Sequence, residues 1–175
     1  MYYNYFFIPK SVKETSLKEK IAFFFATYYG IGNLPKAPGT FGSLATLPFA
    51  FFLAYSGGIQ SLLIGASIVY LLGILTSRII LKKTSHDPSF IVIDEIVGQL
   101  VTFIPVSCLL EAPFKMSHLW IYLAGFLLFR FFDIVKIYPA CYFDKTVLNA
   151  SGVMLDDVVA GLYAGLVLTA LVLTF

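Results

Sequence analysis

The sequence predicts an all-α polytopic integral membrane protein, with about five membrane-embedded helices and an N-terminal interfacial helix. Three observations carry that expectation. Hydrophobic residues make up 59% of the 175 and charged residues only 13%, far to the apolar side of a water-soluble mixture. The apolar residues gather into long uncharged runs, including 41 consecutive residues over 37–77, where a spanning helix needs about 20. The charges fall between the runs, and one thread through five spans collects all twelve basic residues except Lys115 on one side. Cytoplasmic loops are the ones enriched in Lys and Arg, so that side reads as the inside.

Taken in order, residues 1–20 read as a polar and aromatic leader and residues 21–175 as one membrane domain without linker, repeat or low-complexity tract. The aromatic MYYNYFFI precedes the first lysines instead of following them, so no cleavable signal is expected. Ser16 with Glu19 matches a capping box ahead of residues 17–29, which predicts a surface-lying or partly inserted helix. The glycines and prolines of GIGNLPKAPGTFGS then interrupt regular helix. Ser56-Gly57-Gly58 divides the long run into two spans joined by a tight turn. Runs 96–110 and 116–129 are too short to cross about 30 Å of hydrocarbon at about 1.5 Å per residue. They must borrow Asp94, Glu95, Arg130 and Asp133 as end turns. Residues 82–89 and 136–152 read as polar connectors, and 158–175 as the fifth span, with Asp156-Asp157 at its opening.

The net charge of +2 is small, and nothing in it suggests nucleic acid. Cys108 and Cys141 fall toward opposite sides of the bilayer without zinc-type spacing, and read as reduced thiols.

The same thread brings Asp87, Asp94, Glu95, Asp133, Asp144, Asp156 and Asp157 to the inner surface. A glycine follows four residues after an acid in two places: Asp94 with Gly98, and Asp157 with Gly161 and then Gly165. Residues four apart share a helix face, and small residues there let membrane helices approach closely. The spacing therefore predicts that the acids meet. A single acid at a helix start would be read as complementing the helix dipole; two doubled pairs plus Asp133 on one membrane side read as a site. Crowded carboxylates repel, and magnesium, which takes a few carboxylates together with phosphate oxygens, is the cation that fits best.

In FRFFDIVKIYP, Arg130, Asp133 and Lys136 are spaced by three and form a charged stripe on a helix. It is either an interfacial salt-bridge ladder or a phosphate site with Asp133 on the metal or acting as nucleophile. PKAPGTFGS adds Lys36, glycine amides and the hydroxyls of Thr40 and Ser43 before the first span, a setting suited to an anion and without Walker spacing. His86 in SHDPS is either an incidental loop histidine or a general acid or phosphate contact.

Together, APGTFGSLATLP, HDPSFIVIDEIVGQL, FRFFDIVKIYP and MLDDVVAGLYAG resemble, in order and spacing, the signature blocks of the phosphatidylglycerophosphatase A family, from about Gly30 to Gly165. The match falls on Pro38, Gly39, Thr40, Gly42 and Ser43; on His86, Asp87, Pro88, Ser89, Asp94, Glu95 and Gly98; on Arg130, Asp133 and Lys136; and on Asp156, Asp157 and Gly161. The chain departs at Phe90, where relatives often carry an acid, and at Ile137, where they often carry proline. The resemblance implies a Mg²⁺-dependent lipid phosphatase domain over residues 21–175. It would be multi-pass in the bacterial inner membrane, with its N-terminus and active site facing the cytoplasm, and its substrate a phospholipid. Phosphatidylglycerophosphate would be hydrolysed to phosphatidylglycerol and inorganic phosphate.

On that reading the metal falls to Asp94, Glu95, Asp133, Asp156 and Asp157, with Asp87 compensating for Phe90. The phosphate falls to Arg130, Lys136, Lys36, Thr40, Gly42 and Ser43, and the chemistry to Asp133, Asp94, Glu95 and His86. Either an activated water or Asp133, through an aspartyl phosphate, would attack phosphorus. The rival expectations are another Mg²⁺-dependent phospholipid phosphomonoesterase or phosphotransferase, and a divalent-cation transporter component, whose site would lie near the bilayer midplane.

Overall fold

The computed structural model describes residues 15–84, 88–109 and 119–174, and among these the chain is helical without strands. The first helix, α1 (Leu17–Ala26), starts at the expected capping box: the Ser16 amide donates to Glu19 Oε2 at 2.7 Å and the Glu19 amide to Ser16 Oγ at 3.3 Å. It ends before residue 29 because Tyr28, Tyr29 and Gly30 all take positive φ (46°, 58° and 99°). That left-handed stretch cannot continue a right-handed helix and turns the chain into a 3₁₀ turn, Ile31–Asn33. Ala22, Phe23 and Ala26 bury the inner face of α1, and an ion pair from Lys83 to Glu19 at 2.8 Å ties it to the end of the next helix. The bond from Lys83 holds the Glu19 carboxyl below its ordinary pKa.

Helix α2 (Pro38–Ile80) comprises two arms that meet at Gly57 and Gly58, whose φ/ψ leave the helical region. The arms fold back on one another: a Cβ on Gly65 would stand 2.6 Å from Leu53, and Phe49 shares a cleft with Val69. This is the glycine-turn hairpin expected from Ser56-Gly57-Gly58. Helix α3 (Ile93–Ser107) is the central rod, with 12 of its 15 residues buried, and α2, α4 (Leu119–Val135) and α6 (Ala150–Thr174) surround it. As expected, α3 takes in Asp94 and Glu95, and α4 takes in Arg130 and Asp133.

Two features depart from expectation. A short helix, α5 (Ala140–Thr146), occupies the connector read as polar loop. Helix α6 begins at Ala150 because Asn149 Oδ1 accepts from the Ser151 and Gly152 amides at 2.8 and 3.2 Å. Asp156 and Asp157 therefore lie about two turns inside the helix and do not open it. With Asn149 already satisfying the free amides, the two carboxylates are not caps.

The crossing of α3 and α6 is a backbone-to-backbone contact. A Cβ on Gly98 would lie 2.6 Å from the Asp157 carbonyl oxygen, one on Gly161 would land on the Gly98 carbonyl, and one on Gly165 would lie 2.7 Å from the Thr102 carbonyl oxygen. Only residues without side chains allow this approach.

Helices α2 and α6 are long and apolar enough to cross a membrane, and only 22% and 33% of their most apolar windows are buried within the chain. Large hydrophobic residues stand outward in stripes at helical spacing: Ile64, Ile68, Leu71 and Leu75 on α2, and Leu123, Leu127, Phe131 and Ile134 on α4. Such a surface suits hydrocarbon rather than water.

Candidate active site

The glycine crossing sets the site. With α3 and α6 in backbone contact, acids on their facing sides are brought together, and carboxylate oxygens of Asp94, Glu95 and Asp157 all lie within 4.8 Å of one another. They line a cavity of about 240 Å³ that also receives Asp156 from α6 and Arg130 and Asp133 from α4. Ala37, Pro38 and Gly39 at the start of α2, with Ser89 and Ile91 before α3, complete its wall.

The charges sort into two classes. Asp133 is paired with Arg130, Oδ2 to Nη1 at 2.5 Å. Asp156 is paired with Lys136, Oδ2 to Nζ at 2.6 Å, and Lys136 also binds Asp144 Oδ1 at 2.6 Å. Burial alone would lower the pKa of Lys136, but Asp156 and Asp144 outweigh it and hold the ammonium above its ordinary value. Asp94, Glu95 and Asp157 are the three whose carboxylate oxygens converge. Glu95 Oε2 and Arg130 Nε are buried without a hydrogen-bond partner among the described residues. An all-oxygen donor set of three carboxyl groups with an unsatisfied carboxylate oxygen fits a hard divalent cation, and fits magnesium better than a soft metal.

The N-terminus of α2 points its positive end at this cavity. Ala37 gives no side-chain cap and Pro38 has no amide hydrogen, so the amides of Gly39 and Thr40 lack both a cap and an intrahelical acceptor. Gly39 lies so close to the acids that a Cβ would land on Glu95 Oε1 and stand 3.2 Å from Arg130 Nη1. This explains why the PGT stretch carries glycine there.

The structure thus brings together six of the sequence-predicted residues: Asp94, Glu95, Arg130, Asp133, Asp156 and Asp157. Thr40, Gly42 and Ser43 do not line the cavity; Gly42 packs on Val92, and the Ser43 hydroxyl donates to the Gly39 carbonyl at 2.8 Å. Lys36 is exposed and away from the lining. His86 and Asp87 lie outside the described residues. Lys136 does not line the cavity but clamps Asp156 from behind. Asp144, one of the acids that the thread brings to the inner surface, pairs with Lys136 from a separate helix, α5, and sequence spacing gives no sign of that pairing.

That placement makes a distinguishing prediction. Lys136→Gln is expected to lower kcat about tenfold or more through a misplaced Asp156, with KM changing less than threefold. A lysine that held the phosphate itself would raise KM instead, and steady-state kinetics on mixed micelles separate the two.

Comparison with known proteins agrees with this arrangement. The sequence model described as "Phosphatidylglycerophosphatase A" matches residues 24–172. A Haemophilus influenzae protein named "Phosphatidylglycerophosphatase A" is 40% identical over 147 residues, covering 83% of this chain and 85% of the relative. The Escherichia coli K12 protein of the same name is 34% identical over 141 residues, covering 78% and 74%. A Bacteroides thetaiotaomicron protein named "Putative phosphatidylinositol-3-phosphatase" is 33% identical over 142 residues, covering 79% and 85%. No solved structure matches the chain. With the family's sequence pattern running from the end of α1 into α6 and the acids of its blocks meeting in one cavity, this chain belongs to the phosphatidylglycerophosphatase A family.

Proposed function

We propose that this chain hydrolyses the terminal phosphomonoester of phosphatidylglycerophosphate, giving phosphatidylglycerol and inorganic phosphate, at a magnesium site on the cytoplasmic face of a bacterial inner membrane. The family gives the enzyme class: the chain is a phosphatidylglycerophosphatase, a phosphoric monoester hydrolase. The observation that carries the site is the convergence of Asp94, Glu95 and Asp157 within 4.8 Å, beside Arg130 in one cavity.

Asp94, Glu95 and Asp157 would hold the ion. When bound there, Mg²⁺ supplies Lewis-acid polarisation of the phosphoryl oxygens and offsets the repulsion among the carboxylates. Arg130 and the free amides at the start of α2 face the spreading negative charge of the transferred phosphoryl group. Asp133, fixed by Arg130, stands in the cavity to take a proton from the attacking water. The water oxygen bonds to phosphorus, the bond from phosphorus to the glycerol oxygen breaks, and that oxygen takes back the proton held by Asp133 and leaves as the lipid alcohol, so that Asp133 returns to its carboxylate form.

The five-span placement supports the cytoplasmic side. Taken as five spans, the two arms of α2 with α3, α4 and α6 would put the helix ends that carry Lys36, Arg78, Arg130 and Lys136 on the side of the cavity, and α1 exposes Leu17 and Ile21 as an interfacial helix would.

The test is phosphate release by purified protein in mixed micelles of phosphatidylglycerophosphate, with and without Mg²⁺, beside phosphatidylinositol 3-phosphate. Release that needs Mg²⁺ and favours the first lipid is expected. Preference for the inositol lipid would reassign the headgroup, and release unaffected by chelator would remove the metal role. Capture of a hydroxylamine-sensitive phosphoprotein would replace water by Asp133 as nucleophile.

A further inference from the structure

A lipid substrate must reach a phosphate site from the side, and the helices surrounding α3 leave two apolar grooves. One, of about 440 Å³, lies between the second arm of α2, α3 and α6, and includes Leu71 and Val97. The other, of about 390 Å³, lies between the first arm of α2 and α4, lined by Leu47, Pro48, Phe51, Leu119, Tyr122 and Leu123. The two differ in what stands at their ends. Through α3 and α6 the first ends at carboxylates, with Leu155 and Val158 flanking Asp156 and Asp157, whereas through the first arm (Pro38, Gly39) and α4 (Arg130, Asp133) the second ends at Arg130, which among the described residues is the one basic side chain lining the acid cavity.

The cavity and the second groove therefore share one seam. Gly39 lies against Arg130 at its upper end, and the Phe51 ring packs on Tyr122 with centroids 5.6 Å apart further along. Leu47 is eight residues from Gly39, a rise of about 12 Å, and Leu123 is seven from Arg130, about 10 Å. Both walls thus place the groove about one headgroup below the site, and at the same depth. Pro48 has no amide hydrogen for the Leu44 carbonyl, so the arm lacks one bond of its helical ladder where the groove lies.

We propose that the seam between the first arm of α2 and α4 is the lipid's lateral way in, and that the groove at Leu47, Phe51 and Leu123 takes one acyl chain of the substrate while its terminal phosphate reaches Arg130. This rests on the lipid phosphatase reading above. The ligand class is a diacylglycerol-borne phosphomonoester: a headgroup between phosphate and acyl chains bridges the 10 to 12 Å of seam, and the wall beyond is hydrocarbon, apart from the Tyr122 hydroxyl.

Leu123 is 57% exposed on this wall, so Leu123→Trp fills the groove without disturbing the core. Kinetics are measured on phosphatidylglycerophosphate with dioleoyl and with dibutyryl chains, beside Leu71→Trp in the other groove. Leu123→Trp is expected to raise KM for the dioleoyl lipid about tenfold while leaving kcat/KM for the dibutyryl lipid within twofold; Leu71→Trp leaves both alone. Leu47→Trp on the opposite wall repeats the measurement and is expected to act in the same way. Unchanged chain-length preference in both seam variants, or a loss confined to Leu71→Trp, overturns the proposal while the phosphatase reading stands. Wild-type protein that hydrolyses neither lipid overturns both.

Discussion

Asp157→Asn is expected to lower phosphate release by at least about 10²-fold and to abolish stoichiometric Mn²⁺ binding by electron paramagnetic resonance, while the metal-free protein melts at a higher temperature than wild type. The opposite signs are the content of the prediction. Asp157 is only 4% exposed and shares its cavity with Asp94, Glu95, Asp133 and Asp156. Without a cation, each of these charges disfavours the others in a poorly solvated space. Asparagine keeps the shape and one oxygen but removes the charge, so the empty fold gains what the ion-binding site loses, as functional sites commonly trade stability for activity. Asp144→Asn is the control: it is also acidic and partnered to Lys136, but lies outside the cavity, and activity is expected to fall less than tenfold. A metal-free Asp157→Asn protein that melts lower than wild type, with Mn²⁺ binding intact, would mean that Asp157 is a structural acid rather than a ligand.

Much of this site was legible because helical spacing is a local property. Asp94 with Gly98 and Asp157 with Gly161 could be read as acid and close-approach residue on one face, and the close approach is where the acids meet. The glycine turn at Gly57-Gly58 and the Ser16–Glu19 box are equally local, and both form as expected. What could not be read was pairing across elements. Nothing in FRFFDIVKIYP says that Lys136 turns away to Asp144 and Asp156 while Arg130 remains in the cavity. The start of α6 was misplaced for a related reason: hydropathy marks where a segment becomes uncharged, whereas Asn149 marks where its amides are first satisfied. The hydroxyls of Thr40 and Ser43 looked available in a glycine-rich stretch, but once that stretch became a helix, Ser43 turned back to its own backbone.

Gly161→Ala tests the crossing that creates the site, and its signature differs from that of a lost ligand. The added methyl would fall on the Gly98 carbonyl and 3.1 Å from the Gly98 Cα. Those are backbone atoms of a buried helix, so no side chain can rotate away to make room. Helices α3 and α6 must separate or slide, at a cost of about 1–3 kcal/mol. The same displacement pulls Asp157 away from Asp94 and Glu95, and misplacement of reacting groups by about 1 Å costs on the order of 10²-fold in rate. Gly161→Ala is therefore expected to lower melting temperature and activity together, and to weaken Mn²⁺ binding without removing a single charge. Leu166→Ala, five residues further along α6 on its exposed face, is expected to leave activity within twofold. A Gly161→Ala enzyme of wild-type activity and stability would mean that the two helices can part without disturbing the acids, and the carboxylates would then owe their convergence to the ion rather than to the glycines.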